Sequence, residues 1–146
     1  MRVLGLDYGA KTVGVAVSDA LGISAQPVET IFRERETHLR RTMKRLEELA
    51  EEYKIEQVVV GWPIHLDGGI SESAVKAQQF AEKVKERLGC PVELWDERVS
   101  TAFAEKALIE QQVRREHRKE YVYQIAAVFI LQGYLDYQHN QENQDE

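Results

Sequence analysis

The chain has 146 residues and a mass of 16.8 kDa, the size of a single domain with one hydrophobic core. Its composition is 43% hydrophobic and 30% charged, with nine Gly and three Pro, which excludes a disordered or fibrous protein. The apolar runs at residues 13–17 and 125–131 are far shorter than the ~20 residues of a membrane-spanning helix, and the first residues lack a signal-peptide pattern. We therefore expect a cytoplasmic protein with no membrane partner.

The net charge of −6 hides an asymmetry along the chain. The last eleven residues hold four acidic side chains and no Lys or Arg, which leaves 19 basic and 21 acidic residues in the first 135. Two basic clusters lie in that part, at residues 33–45 and 114–119. Phosphate binding depends on local rather than total charge, so the net charge does not argue against a nucleic-acid partner. Charged helix faces are, however, often merely solvated.

The first third of the chain predicts three antiparallel strands followed by a helix. β-rich runs at residues 3–7 and 13–18 flank a short glycine-containing turn, which is typical of a hairpin, and a third extended run covers residues 27–32. From Thr37 to Tyr53, apolar residues recur every three or four positions, which predicts a helix with Thr37 as its N-cap.

The rest of the chain alternates between strands and helices. The apolar run at 57–61 predicts a central strand buried on both faces, and another strand is expected at 91–95. Helical periodicity predicts one helix that ends near Leu88 and another that runs from about Ser100 through Leu108. A basic linker at 114–119 then leads to an apolar helix at 121–137, which turns Ile125, Val128, Phe129 and Gln132 to one side.

This order predicts one α/β domain over residues 1–137 and a flexible, polar, acidic tail over 138–146. The expected sheet is five-stranded and mixed, with a three-stranded antiparallel meander, two parallel strands and helices on both faces. The polar residues at the strand ends would collect at one edge of the sheet.

Three carboxylates follow or end predicted strands. Asp7 ends the first strand, and Asp96 and Glu97 follow the last one. An ionised carboxylate buried alone costs several kcal/mol, so Asp7 requires a cleft, a hydrogen-bond partner or a metal ion. Asp7 and one of the other two would together hold a hard divalent cation. The alternative is that Asp7 caps a turn and Asp96 caps the following helix.

Four segments in this order resemble the YqgF/RuvX family: LGLDYG (4–9) with GVAVSD (14–19), VVVGWP (58–63) with Asp67-Gly68, WDERVST (95–101), and AAVFILQGYL (126–135). The resemblance covers nearly the whole chain. It implies a ribonuclease H-like fold, a bacterial cytoplasmic protein, and activity as a Holliday junction resolvase or as a nuclease in 5′-end processing of pre-16S rRNA. It also implies Mg²⁺ or Mn²⁺ at an acidic cluster, and precursor rRNA ahead of branched DNA as the nucleic-acid partner.

The resemblance also assigns roles to residues. Asp7 and Glu97 match metal-binding carboxylates, and Asp96 stands beside Glu97 as a further catalytic residue. Family members usually carry another Asp three residues before the paired alanines, where this chain has Tyr123. A phenol with a pKa near 10 is a poor Mg²⁺ ligand, so the substitution puts catalysis in doubt unless Glu120, one turn earlier, replaces the missing carboxylate.

Basic side chains near these positions are candidates for substrate binding. Arg98 would orient Glu97 or contact the scissile phosphate, or else form a salt bridge at a helix start. A rim around the cleft is expected from the hairpin turn and the basic linker: Lys11, Arg114, Arg115, Arg118 and Lys119.

Three functions therefore compete. The first is a metal-dependent nuclease, associated with ribosome assembly and active as a monomer or homodimer. The second is a nucleic-acid-binding protein on the same fold that has lost its activity through Tyr123. The third is a phosphate-binding ATPase, because Asp7-Tyr8-Gly9 also resembles the first phosphate loop of sugar kinases and actin-like ATPases. Such ATPases need two domains to enclose the nucleotide, and this chain supplies one.

Overall fold

A computed structural model describes residues 1–62, 71–96 and 115–144, with the backbone alone described for residues 115–120 and at 143 and 144. The third helix predicted from Ser100 lies outside these ranges. In chain order the elements are β1 Val3–Tyr8, β2 Thr12–Ser18, β3 Ala25–Phe32, α1 Arg40–Glu52, β4 Gln57–Trp62, α2 Glu72–Leu88, β5 Val92–Asp96 and α3 Arg115–Gln144.

The five strands form one mixed sheet in the order β3-β2-β1-β4-β5. β1 pairs antiparallel with β2 and β2 with β3, whereas β1–β4 and β4–β5 are parallel pairs. The predicted meander and the two added parallel strands are thereby confirmed. Because β1, β4 and β5 run in the same direction, their carboxyl ends lie at one edge of the sheet.

Each face of the sheet has its own hydrophobic core. On the α1/α2 face, Leu and Val side chains of alternate strand positions pack against α1 and α2, with Phe80 of α2 fully buried. On the opposite α3 face, a smaller set that includes Ala16 and Val59 packs against Ala127, Ile130 and Leu131 of α3. The prediction of helices on both faces is confirmed, and the alternation of strand side chains decides which residue faces which helix.

Helix α1 begins later than the sequence predicts. Its N-cap is Leu39, which makes no side-chain capping hydrogen bond, so the predicted cap at Thr37 is wrong. The carbonyl oxygen of Thr37 accepts a hydrogen bond from the N–H of Leu39 at 3.0 Å, which closes a turn before the helix starts. By contrast, α2 has a capped start, since the Ser71 hydroxyl accepts a hydrogen bond from the Ala74 N–H at 3.2 Å.

Helix α3 is longer than predicted at both ends. From Arg115 onward, the segment interpreted as a basic linker is helical, and so are residues 138–144, which were predicted to be a flexible tail. The sequence has no Gly or Pro after Gly133 to end the helix. The ring Nε2 of His139 also lies 3.0 Å from the Gly22 carbonyl oxygen, which attaches this part of α3 to the β2–β3 loop.

The buried side of α3 also differs from the prediction. Phe129, expected to face the core, is 41% exposed, and Ile125, Val128 and Gln132 are only partly buried. The buried stripe is instead shifted by one to two positions and consists of Ala126, Ala127, Ile130, Leu131, Tyr134 and Leu135. None of the helices in the described ranges is both long and apolar enough to cross a membrane.

Candidate active site at the carboxyl edge of the sheet

Asp7 lies at the carboxyl end of the central strand β1 and is only 6% exposed. It pairs with Gly14 across the β1–β2 ladder, and directly opposed residues of two strands present their side chains to the same face. A Cβ atom built on Gly14 would lie 1.9 Å from the carbonyl oxygen of Tyr123, so Gly14 faces α3. The Asp7 carboxylate therefore lies on the α3 face, in the part of the sheet that α3 covers at residue 123.

Glycines of the sheet allow α3 to approach this closely. A Cβ atom on Gly5 would meet Leu131 Cβ at 2.7 Å and the Ala127 carbonyl oxygen at 3.2 Å. Gly14 also lies close to α3, next to the backbone of Tyr123, which is one helical turn before Ala127. Gly5, Asp7 and Gly14 thus share one face, and Asp7 is the one carboxylate in that row. The backbone of Tyr123, which stands where the family resemblance leads one to expect an Asp, packs against Gly14, the strand partner of Asp7.

Asp96 is the last residue of β5 and is exposed. Val92 and Leu94 pack into the core of the α1/α2 face, while Trp95 packs on the α3 face against Tyr134. By alternation, Asp96 belongs to the α1/α2 face. Two strand spacings, roughly 10 Å, also separate β5 from β1. Asp7 and Asp96 hence share an edge of the sheet but lie on opposite faces.

The turn after Asp7 is held by a buried arginine. Arg33, 8% exposed, donates hydrogen bonds from Nη2 to the Gly9 carbonyl oxygen and from Nε to the Glu36 carbonyl oxygen, the latter at 3.2 Å. Its guanidinium carbon lies 4.9 Å from the centroid of the Tyr8 ring, which stacks on Phe80 at 4.5 Å. The turn that carries the exposed Lys11 is therefore fixed to the β3–α1 connection.

Sequence reasoning counted Arg33 as part of a surface cluster and missed this role. The signal was the strand alternation, because Arg33 continues the register of Ile31, which is also 8% exposed and faces the α1/α2 core. Arg45 of the same cluster is likewise committed to a partner, an ion pair with Glu29 at 2.6 Å. The cluster at 33–45 is thus smaller than the sequence indicates.

The remaining predicted site residues are only partly covered by the structure. Glu97, Arg98 and Arg114 lie outside the described residues. Arg115, Arg118 and Lys119 occupy the first turns of α3, for which the backbone alone is described, as it is for Glu120. No group of three His, Cys, Asp or Glu side chains within the described ranges is placed to hold a metal ion. Asp7 has the carboxylate oxygens that Mg²⁺ and Mn²⁺ prefer, so it fits as one ligand of a set completed by other residues.

Comparisons with known proteins show the family and the fold of the chain. The family model described as "RuvX: Holliday junction resolvase" matches residues 1–137. A "Putative pre-16S rRNA nuclease" of Lachnospira eligens is 51% identical over 136 residues, which cover 93% of this chain and 97% of that protein. The protein of the same name in Listeria innocua is 49% identical over 136 residues, with coverages of 93% and 98%.

Among solved structures, the RuvC protein of T. thermophilus in complex with a Holliday junction substrate matches with a TM-score of 0.60 and 17% identity, covering 95% of this chain and 96% of that one. Together with the sheet order, this likeness defines a ribonuclease H-like α/β fold, as predicted. The chain belongs to the RuvX family. The predicted resemblance is thereby confirmed. The family description and the names of the relatives both indicate a nuclease, and this protein is therefore a nuclease.

Proposed function

We propose that this protein is a divalent-metal-dependent nuclease that processes the 5′ end of pre-16S rRNA in the cytoplasm. The names of relatives that are about half identical over nearly their whole length support the substrate. The observation that carries the proposal is the Asp7 carboxylate, which is 6% exposed on the α3 face at the carboxyl edge of the sheet. Carboxylate oxygens are the ligands that Mg²⁺ and Mn²⁺ prefer, and this carboxylate lies at the edge where the parallel strands β1, β4 and β5 end.

Asp7 and Glu97 are the proposed metal ligands. Glu97 is favoured over Asp96 because the alternation of β5 assigns Asp96 to the face opposite Asp7. Asp96, the residue next to Glu97, stays a candidate for a second catalytic role. A bound Mg²⁺ or Mn²⁺ would supply Lewis acidity and lower the pKa of a bound water molecule.

Basic side chains would hold the RNA backbone around this site. Lys11 is exposed on the turn that Arg33 fixes beside Asp7, and it is proposed to contact a phosphate next to the scissile one. Arg98 is proposed to contact the scissile phosphate, and a second rim is proposed from residues at and before the start of α3: Arg114, Arg115, Arg118 and Lys119. The ribosome-assembly machinery is the proposed wider partner, with the enzyme acting as a monomer or homodimer.

Position 123 favours a second candidate function. Its backbone packs against Gly14, the partner of Asp7, yet its side chain is a phenol rather than a carboxylate. If no other carboxylate replaces the one expected at position 123, the protein binds nucleic acid through a nuclease fold that has lost its catalytic activity. Glu120 is the residue proposed to compensate, because it lies one helical turn before Tyr123 in α3.

Cleavage of a 5′-extended 16S rRNA precursor and of a four-way DNA junction, each with Mg²⁺ or Mn²⁺, tests both functions. The variants are Asp7→Asn, Glu97→Gln and Tyr123→Asp, and Asp136→Asn, an exposed carboxylate on α3 away from the site, is the matched control. We expect the wild type and Asp136→Asn to cleave the rRNA precursor, and Asp7→Asn and Glu97→Gln to be inactive.

Other results would redirect the proposal. Activity that appears only in Tyr123→Asp would identify the wild type as a binding protein. Cleavage that survives in Asp7→Asn would contradict the assigned site, and preference for the junction would contradict the rRNA substrate.

A further inference from the structure

We propose that a surface beside the active site, formed by β3 and the start of α1, binds the single-stranded RNA that flanks the cleavage position. We call it the β3–α1 surface, and it consists of Lys11, Phe32, Arg35, Arg40, Arg41 and Lys44. This assignment rests on the proposed nuclease function, since it concerns how the same substrate is held.

The β3–α1 surface is continuous with the turn that follows Asp7. Phe32, the last residue of β3, pairs with Thr12 of β2, and the N–H of Arg33 donates to the Lys11 carbonyl oxygen at 2.9 Å. β3 runs parallel to β1, so it ends at the same edge as β1, and α1 starts from that edge before the chain returns to begin β4. The first turn of α1 therefore lies at the active-site edge of the sheet.

The positive charge of this surface is available for phosphates. Three nearby acidic groups are engaged by other cations: Glu29 with Arg45 at 2.6 Å, Glu36 with Lys76 at 3.0 Å and Glu47 with Arg87. Glu34, which is exposed, forms no ion pair within the described residues, so one carboxylate stands against five basic side chains. Within the part of the chain that the structure describes, no ion pair engages the five basic side chains of the surface, all of them exposed: Lys11, Arg35, Arg40, Arg41 and Lys44.

The stability of α1 does not explain why the helix begins with two cationic side chains. Arg40 and Arg41 occupy the first two positions of α1, where the positive end of the helix dipole disfavours cations, and the first turn contains no acidic residue. The Leu39 N-cap has no side-chain hydrogen bond that would offset this. Residues that destabilise the start of a helix are expected where they serve binding instead, as we infer for Arg40 and Arg41.

Phe32 gives the surface an aromatic stacking position. It is 61% exposed, more than Phe129 at 41%, although a Phe gains most when it is buried. By alternation with Ile31, its ring belongs to the α3 face, the face of Asp7. The ring thus shares the edge of the sheet with the cations of α1, which start from the opposite face. An exposed ring close to backbone-binding cations can hold an unpaired base, and single strands rather than duplexes offer such bases.

Binding of a short, fluorescently labelled single-stranded RNA from the precursor 5′ extension tests the proposal. Anisotropy is measured in EDTA, so that nothing is cleaved, over a series of KCl concentrations. Arg40→Gln/Arg41→Gln is compared with Lys83→Gln/Lys85→Gln, which removes the same charge from exposed positions of α2. Phe32→Ala is compared with Phe129→Ala.

We expect Arg40→Gln/Arg41→Gln to weaken binding and to reduce the slope of log K against log [KCl] by about 1.4, since each lost phosphate contact removes about 0.7 on a single strand. The α2 double variant should retain the wild-type slope. Phe32→Ala should weaken binding about fivefold or more without changing the slope, and Phe129→Ala should leave affinity unchanged.

Equal slopes for the two double variants, or equal affinities for the two Phe variants, would overturn the proposal. Phe32→Leu, which keeps an apolar side chain without the ring, replaces Phe32→Ala if that variant does not fold. The readout does not depend on cleavage. A wild type that binds as expected but never cleaves RNA would therefore contradict the nuclease function and leave the assigned surface supported.

Discussion

The two faces of the sheet pack against their helices in different ways. On the α1/α2 face, branched side chains such as Leu4, Leu6 and Val60 fill the space under two helices together with Phe80. On the α3 face, Gly5 and Gly14 let the backbone of a single helix come into direct contact with the strands. The packing on the α1/α2 face makes a conventional hydrophobic core. The packing on the α3 face fixes the position of the α3 backbone and leaves space for one carboxylate, Asp7, beside Gly5 and Gly14.

This difference predicts that the two faces respond differently to mutation, and Phe80→Ala tests the first face with the largest expected effect. Phe80 is 1% exposed, and its removal should lower the free energy of unfolding by about 3–5 kcal/mol. Because Tyr8 stacks on Phe80, the turn after Asp7 should also loosen. Urea unfolding gives the first quantity. A loss below about 1 kcal/mol would mean that the face collapses to fill the cavity.

Gly14→Ala tests the second face by adding an atom instead of removing several. The new Cβ would lie 1.9 Å from the Tyr123 carbonyl oxygen, and backbone cannot rotate away as a side chain can. We expect a loss of about 3 kcal/mol, near the upper end for overpacking, and a displacement of α3 from Asp7 that abolishes cleavage. Gly89→Ala, at a site with no neighbour within 4 Å but a φ of +68°, gives for comparison the cost of backbone strain without a steric clash. Wild-type activity in Gly14→Ala would contradict the direct contact.

Sequence alone predicted the framework of both faces but only part of the packing on the α3 face. The strand alternation and the connection rules lead to the five-stranded sheet, and the Asp7 site follows from its position at a strand end and from the family resemblance. The buried stripe of α3 could not be found by periodicity, because apolar residues surround the middle of this helix. The stripe is set instead by Gly5, opposite Ala127 and Leu131, and by Gly14, opposite Tyr123. Those glycines lie far away in sequence, so the contact is purely tertiary.

Arg33→Ala probes how the α1/α2 face supports the site on the other face. It removes two hydrogen bonds to carbonyl oxygens and the contact with the Tyr8 ring. The expected loss is about 1–2 kcal/mol, less than for a core residue, since Nη1 finds no hydrogen-bond partner in the described residues and its removal offsets part of the cost. Cleavage should fall by more than stability explains, because the turn bearing Lys11 loses its anchor. Arg45→Ala, which breaks the half-buried pair with Glu29, should leave cleavage unchanged.

The smallest effect is expected where the far end of α3 meets the β2–β3 loop. Gln132 of α3 accepts from the Ala25 N–H and donates to the Ile23 carbonyl oxygen, both at 2.9 Å, so the shape of this loop matters to the helix. The Ile23 N–H donates to the Asp19 carboxylate at 2.8 Å, and this bond, aided by Ser24, lowers the pKa of Asp19 from its ordinary value of 3.8.

A lowered pKa in the folded state fixes the sign of the pH dependence. The stabilisation is fully present above the ordinary pKa of 3.8, which applies to the unfolded chain, and is lost as the pH falls through the lower folded value. Asp19→Asn should therefore be less stable than the wild type at neutral pH, and the gap should narrow as the pH falls below that unfolded value. Thermal unfolding across this range measures the gap. A gap that stays constant would show that the Asp19 charge contributes nothing to the loop on which α3 rests.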